Sequence, residues 1–138
     1  NAAPAYCKVE CDFRYVSHDD LPKLKKMVYA IVEKNFVPDV TTKITDTFGF
    51  DEMERTEATM QLLEVAKEAA KESGLPIPGP KLCGGGSDAA YTVQAGVPTL
   101  CSIGVEGARN HTVEEWADVE SLFTRTKLMI AILLKVTK

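Results

Sequence analysis

The chain has 138 residues, of which 45% are hydrophobic and 26% charged. That is the composition of one ordinary globular domain or two small ones, and it excludes disorder as the default. Sixteen Lys and Arg stand against 20 Asp and Glu, a net charge of -4, so the basic balance expected of a nucleic-acid partner is lacking and no nucleic acid is expected to bind. No run of about 18 apolar residues occurs, so no membrane-spanning helix is expected.

The chain opens on Asn1-Ala2-Ala3-Pro4 rather than Met, without a basic segment leading into an apolar one, and reads as an interior cut of a longer polypeptide. From Tyr6 to Tyr15, apolar Cys7, Val9, Cys11, Phe13 and Tyr15 alternate with charged Lys8, Glu10, Asp12 and Arg14, which predicts a half-buried strand. On such a strand the Cys7 and Cys11 alpha carbons stand roughly 13 Å apart, too far to bridge. These two, with Cys83 and Cys101, are expected to be small core thiols in a reducing compartment, which places the protein in the cytoplasm.

Ser17 fits a helix N-cap, and Leu21, Leu24, Val28, Ile31 and Val32 follow at helical spacing before Pro38. Val40 to Phe48 reads as a second strand. The polar stretch Gly49 to Arg55 marks a domain boundary, dividing the chain into residues 1–50 and 51–138. Thr56 opens a second helix with Met60, Leu63, Ala66, Ala69 and Ala70 on one face and Gly74 as its stop. After a proline-rich connector, Gly84-Gly85-Gly86-Ser87-Asp88 feeds a short helix from Ala89 to Ala95, closed by Gly96. A short strand, Thr99 to Ile103, leads into a glycine-bearing loop and His111. Thr112 and Glu115 form a capping-box pattern. A last helix, about Val119 to Val136, is expected to bury Leu122, Phe123, Met129, Ile130, Leu133 and Val136.

Two features suggest chemistry. The glycine run lets the backbone reach positive φ angles and approach a ligand closely. It is neither a Walker loop, since no Gly-Lys-Ser/Thr follows, nor a dinucleotide fingerprint, and three glycines alone equally describe a tight turn. His111 is one of two histidines. A loop histidine can serve as a metal ligand, although it is more often bland; His18 lies in a charged segment and is expected to face solvent.

The order of these motifs carries a resemblance. Cys83-Gly84-Gly85-Gly86-Ser87-Asp88-Ala89, then Ala95-Gly96-Val97-Pro98-Thr99-Leu100, then Gly104, Gly107 and His111-Thr112-Val113-Glu114-Glu115-Trp116 resemble the C-terminal portion of the dinuclear zinc peptidases that include glutamate carboxypeptidase, succinyl-diaminopimelate desuccinylase, acetylornithine deacetylase and aminoacylase. The segments Asn1–Ala5, Asp12-Phe13-Arg14-Tyr15 and Met53-Glu54-Arg55-Thr56 resemble the second half of that family's lid and its return to the catalytic domain.

The resemblance implies an α/β fold: part of a lid, or dimerisation, α+β sandwich over residues 1–50, followed by the C-terminal part of the catalytic α/β domain over 51–138. It implies that His111 is a zinc ligand, that Asn1 and Arg14 hold a substrate carboxylate, and that Gly85, Gly86 and Ser87 line the substrate pocket. The family's other zinc ligands and its catalytic glutamate have no counterpart here. No catalytic residue is therefore expected in this chain, and the two zinc ions of the intact protein are not expected to bind tightly to it alone. The implied activity is hydrolysis of a peptide or amide bond next to a free carboxylate, in a homodimer that includes the missing N-terminal part, with the isolated chain inactive. Deacylation of N-acyl amino acids is the alternative within the family. A non-catalytic, self-associating lid module is the alternative outside enzymes, because an alternating edge strand can pair with a second copy.

Overall fold

A computed structural model describes residues 2–47 and 49–137. The chain is a small α/β protein that divides into two compact units, residues 1–52 and 53–138. Its elements in order are α1 (Asp20–Val32), α2 (Glu57–Glu72), α3 (Ala89–Gln94), β1 (Gly107–Ala108), β2 (Trp116–Ala117) and α4 (Val119–Val136).

In the first unit the amphipathic pattern makes α1, with N-cap Asp19 rather than Ser17. The Ser17 carbonyl instead accepts the Asp20 N–H at 3.0 Å. Leu21, Leu24, Val28 and Val32 are half-buried, whereas Ile31 is exposed. Lys25 pairs with Asp46 at 2.8 Å, and that hydrogen bond raises the Lys25 pKa. His18 is largely exposed at its side chain, as expected, and its Nδ1 lies 3.3 Å from the enclosed carboxylate of Glu52. Burial, then the negative charges of Glu52 and Asp51, push the Tyr15 hydroxyl pKa up.

The segments 6–15 and 40–47 are not strands in this structure, and Phe48 lies outside the described residues. The sheet described is two-stranded, β1 with β2. A strand exists only by hydrogen bonding to a neighbour, and among the described residues neither segment has a ladder partner. The alternation still leaves its mark: residues two apart pair along the charged edge, Lys8 with Glu10 and Arg14 with Asp12. On the apolar side Cys7, Val9, Cys11 and Phe13 are all exposed, and Tyr15 is half-buried. All four cysteines are free and exposed, so the expectation of core thiols does not hold.

The second unit is built on α2 against α4. The Thr56 hydroxyl caps α2 by accepting the Thr59 N–H at 3.1 Å. The helix ends in a Schellman turn: Gly74 at φ +65 sends its N–H to the Lys71 carbonyl at 3.2 Å, and the Leu75 N–H reaches the Ala70 carbonyl at 2.8 Å. Leu63, Ala66, Ala69 and Ala70 are buried as the spacing predicts. α4 begins at Asp118, whose carboxylate accepts the N–H groups of Glu120 and Ser121 at 3.1 and 3.2 Å.

The buried face of α4 differs from the expected one. Ser121, Leu128 and Ile132 are buried, while Leu122, Phe123, Met129, Ile130, Leu133 and Val136 are all exposed. The partner decides this. The alanines of α2 allow a close helix approach, and Leu128 and Ile132 fill it, with Leu75, Leu100, Ile103 and Ala131 around them. Lys135, also on the α2 side, pairs with Glu72 at 2.6 Å and Glu68 at 3.4 Å. The large apolar residues of α4 point away from that contact. Residues 99–103, expected as a strand, carry no strand pairing and contribute Leu100 and Ile103 to the edge of this core.

Candidate functional site

The turn that carries His111 is fixed to the start of α4 through Glu106. The Glu106 N–H donates to the Ser121 hydroxyl at 2.8 Å. Its carbonyl accepts the Asp118 N–H at 2.8 Å, and its carboxylate pairs with Arg125. β1 follows at once and pairs antiparallel with β2, Gly107 opposite Ala117 and Ala108 opposite Trp116. Position 107 requires glycine, because a Cβ there would collide with the Trp116 carbonyl oxygen.

Residues 109–115 close this hairpin. The Arg109 carbonyl accepts the Thr112 hydroxyl at 2.7 Å and the Thr112 N–H at 3.2 Å. The Thr112 hydroxyl in turn accepts the Glu114 N–H at 3.3 Å. Arg109 and Glu114 form an ion pair. The capping-box expectation thus corrects to a turn, because the chain must return at Trp116 to pair with β1, and helix begins only after Asp118. The carboxylate does reach backward as a capping-box glutamate would: Glu115 Oε2 accepts the His111 N–H at 3.2 Å.

Arg109 and His111 both sit in the left-handed region, at φ +61 and +67. For a residue with a Cβ that costs about 1 kcal/mol or more, and such strain often marks a working site. The His111 side chain is exposed, on a turn closed by two carboxylate contacts. The imidazole on this turn is accessible to a metal ion, as a ligand position requires. Among the described residues no three His, Cys, Asp or Glu side chains stand together to hold a metal ion. The described residues around His111 thus do not form a complete metal centre.

The glycine loop is held by a different set of bonds. The Ser87 hydroxyl accepts the Ala89 N–H at 3.2 Å and the Ser87 carbonyl accepts the Ala90 N–H at 3.0 Å, which starts α3. α3 stops in a second Schellman turn, with Gly96 at φ +81 and the Val97 N–H on the Thr92 carbonyl at 3.0 Å. Glycines use positive φ at the two helix stops, Gly74 and Gly96, and Gly85 does not adopt it. No Cβ-blocking neighbour surrounds Gly85 within 4 Å, so the loop is open at that point.

Sequence reasoning missed Cys101, whose thiol lies 3.2 Å from the Ser87 hydroxyl. The Ser87 hydrogen bond lowers the thiol pKa, partly opposed by burial. Ser87→Ala should therefore raise that pKa and slow iodoacetamide alkylation of Cys101 a few-fold near pH 8, because the thiolate is the reacting species. Mass spectrometry of the Cys101 peptide across pH measures this; an unmoved midpoint would contradict the hydrogen-bond account.

Arg14, in the first unit, aims Nε and Nη2 at one carboxylate oxygen of Asp12, at 3.1 and 2.8 Å. The guanidinium is exposed and pairs with the Asp12 carboxylate. Asn1 lies outside the described residues. Arg14 belongs to residues 1–52, whereas His111, Gly85, Gly86 and Ser87 belong to residues 53–138.

The comparisons agree with the resemblance. Carboxypeptidase G2 of Pseudomonas sp. (strain RS-16) is 27% identical over 123 residues, covering 88% of this chain and 30% of that protein. The chain thus spans about 30% of the length of the curated relative it matches. No solved structure matches it. Peptidase family M20/M25/M40 matches residues 7–135. With nearly the whole sequence inside that match, the chain belongs to the Peptidase family M20/M25/M40.

Proposed function

We propose that these residues form part of a cocatalytic zinc peptidase that cleaves an amide bond next to a free carboxylate, in the manner of a glutamate carboxypeptidase or dipeptidase. The family match over residues 7–135 carries this reading. The name of the matched relative, Carboxypeptidase G2, supports the carboxypeptidase branch. Residues 1–50 would be the second half of a lid and dimerisation domain, and 51–138 the C-terminal part of the catalytic domain. The remaining ligands and the catalytic base would come from polypeptide outside this chain, and the working form would be a homodimer.

Each named residue then has a task set by its chemistry. His111 would hold one of two zinc ions through a neutral imidazole nitrogen. When bound, zinc supplies a more acidic attacking water and a polarised scissile carbonyl. Arg14, with Asn1, would hold the substrate carboxylate by a planar fork, exchanging Asp12 for the incoming group. Gly85, Gly86 and Ser87 would line the pocket, where an open backbone admits a close approach. Orientation of this kind converts binding into rate by fixing the reacting amide.

The test compares the full-length protein with the isolated 138 residues, on peptides ending in glutamate and on N-acyl amino acids, with and without chelator. The full-length protein should hydrolyse the peptides and lose activity on chelation, while the isolated residues should turn over neither. Preference for N-acyl amino acids would move the reading to a deacylase. Chelator-sensitive turnover that tracks the isolated residues through purification would overturn the division of ligands described above.

A further inference from the structure

We infer that Glu115 is a positioning residue: it fixes the direction of the His111 imidazole by holding the His111 backbone at a positive φ. The inference rests on the ligand role proposed for His111. Three observations support it. His111 lies at φ +67, a conformation that a residue with a Cβ leaves unless something holds it. The His111 N–H donates to Glu115 Oε2 at 3.2 Å, so a carboxylate four residues ahead binds the strained peptide itself. Glu115 is also anchored, since its own N–H donates to the Thr112 carbonyl at 3.2 Å and its neighbour Trp116 is in β2 opposite Ala108.

The consequence is geometric. Rotation of φ from the left-handed region to the ordinary negative region swings Cβ about the N–Cα bond and carries the imidazole to a new direction relative to β1 and β2. A metal ligand tolerates little such movement, because second-layer contacts that orient ligands alter metal affinity by about 10- to 100-fold. The Arg109–Glu114 ion pair closes the same turn from other residues, so loss of the Glu115 carboxylate should free the His111 peptide without opening the hairpin.

The experiment uses the full-length protein as Glu115→Ala, Glu115→Gln and His111→Ala. Amide hydrogen exchange at His111 is read in the chelated form, zinc affinity is measured with a competing chelator, and thermal unfolding is followed alongside. Glu115→Ala should exchange the His111 amide at least tenfold faster and weaken zinc binding by about 10- to 100-fold at an unchanged melting temperature. Glu115→Gln, which keeps an oxygen acceptor, should restore most of both. Unchanged exchange in Glu115→Ala would overturn the inference. So would faster exchange with full zinc affinity, provided His111→Ala loses zinc. If His111→Ala itself retains both zinc ions, the ligand role is what fails, and the exchange result alone then decides whether Glu115 holds the turn.

Discussion

His111→Ala in the full-length protein is expected to lose zinc and to lower kcat/KM by about a hundredfold or more, while Arg14→Ala chiefly raises KM. The two residues differ in where their energy is spent. A metal ligand sets the position and charge of the group that acts on the scissile bond, so its loss appears in the chemical step. An arginine fork holds a remote carboxylate with similar strength in the ground and transition states, so its loss appears mainly in binding. Arg14 already binds Asp12 through Nε and Nη2, and Arg14→Lys should not fully replace it, because an ammonium lacks the planar fork. Zinc content by elemental analysis, together with separate kcat and KM values, checks both parts. Full zinc content with normal turnover in His111→Ala would remove His111 from the metal site. A fall in kcat with unchanged KM in Arg14→Ala would remove Arg14 from carboxylate binding.

Local rules explain what was legible in the sequence. α2 and α4 carry strong starts and stops that act within one turn of backbone. Thr56 and Asp118 each cap N–H groups, and Gly74 supplies the left-handed residue of a Schellman turn. Such features need no partner: Thr56 and Gly74 bound α2 as the sequence indicates, whereas Ser17 yields its place to Asp19 and the Thr112 and Glu115 pair makes a turn in place of a helix start. The segments 6–15 and 40–47 carry an equally clear strand pattern. Pairing is nonlocal, however, and a period-two pattern says only that a partner is wanted.

The site divides in the same way. His111 is singled out by its place in an ordered series of motifs, and the histidine itself says little. What its surroundings do could not be read forward. The Thr112 and Glu115 pair looked like a helix start, since a hydroxyl and a carboxylate three residues apart serve a helix and a tight turn equally well. The choice is made by β1 and β2, whose backbones pair, Gly107 with Ala117 and Ala108 with Trp116, and bring the chain back before helix can begin. The Ser87–Cys101 contact spans 14 residues and has no local signal at all.

The two sides of α4 should respond differently to substitution. Leu128 is 2% exposed and packs in the cluster of Ala66, Ala69, Ala70 and Ile132. Leu128→Ala should destabilise residues 53–138 by about 2–4 kcal/mol, through lost transfer energy and a cavity that surrounding alanines are too short to fill. Leu133, further along the same helix, is 60% exposed, and Phe123 is 62% exposed. Leu133→Ser or Phe123→Ser should change stability little, within about 0.5 kcal/mol, because little area leaves or enters water. Those substitutions should act instead on association. Leu122, Phe123, Met129, Ile130, Leu133 and Val136 form an apolar surface on a helix whose other side is already packed, and surfaces of that kind draw partners or aggregate. The isolated 138 residues should therefore self-associate, with a further contribution from the exposed apolar side chains of Val9 and Phe13. Urea unfolding followed by circular dichroism, with light scattering on the same samples, separates the two effects. Leu128→Ala should shift the unfolding midpoint; Leu133→Ser combined with Phe123→Ser should reduce the scattering mass and leave the midpoint in place. A monodisperse wild-type monomer with cooperative unfolding would mean that the exposed side of α4 is compatible with solvent, and the account of α4 as a helix awaiting a second layer would fall.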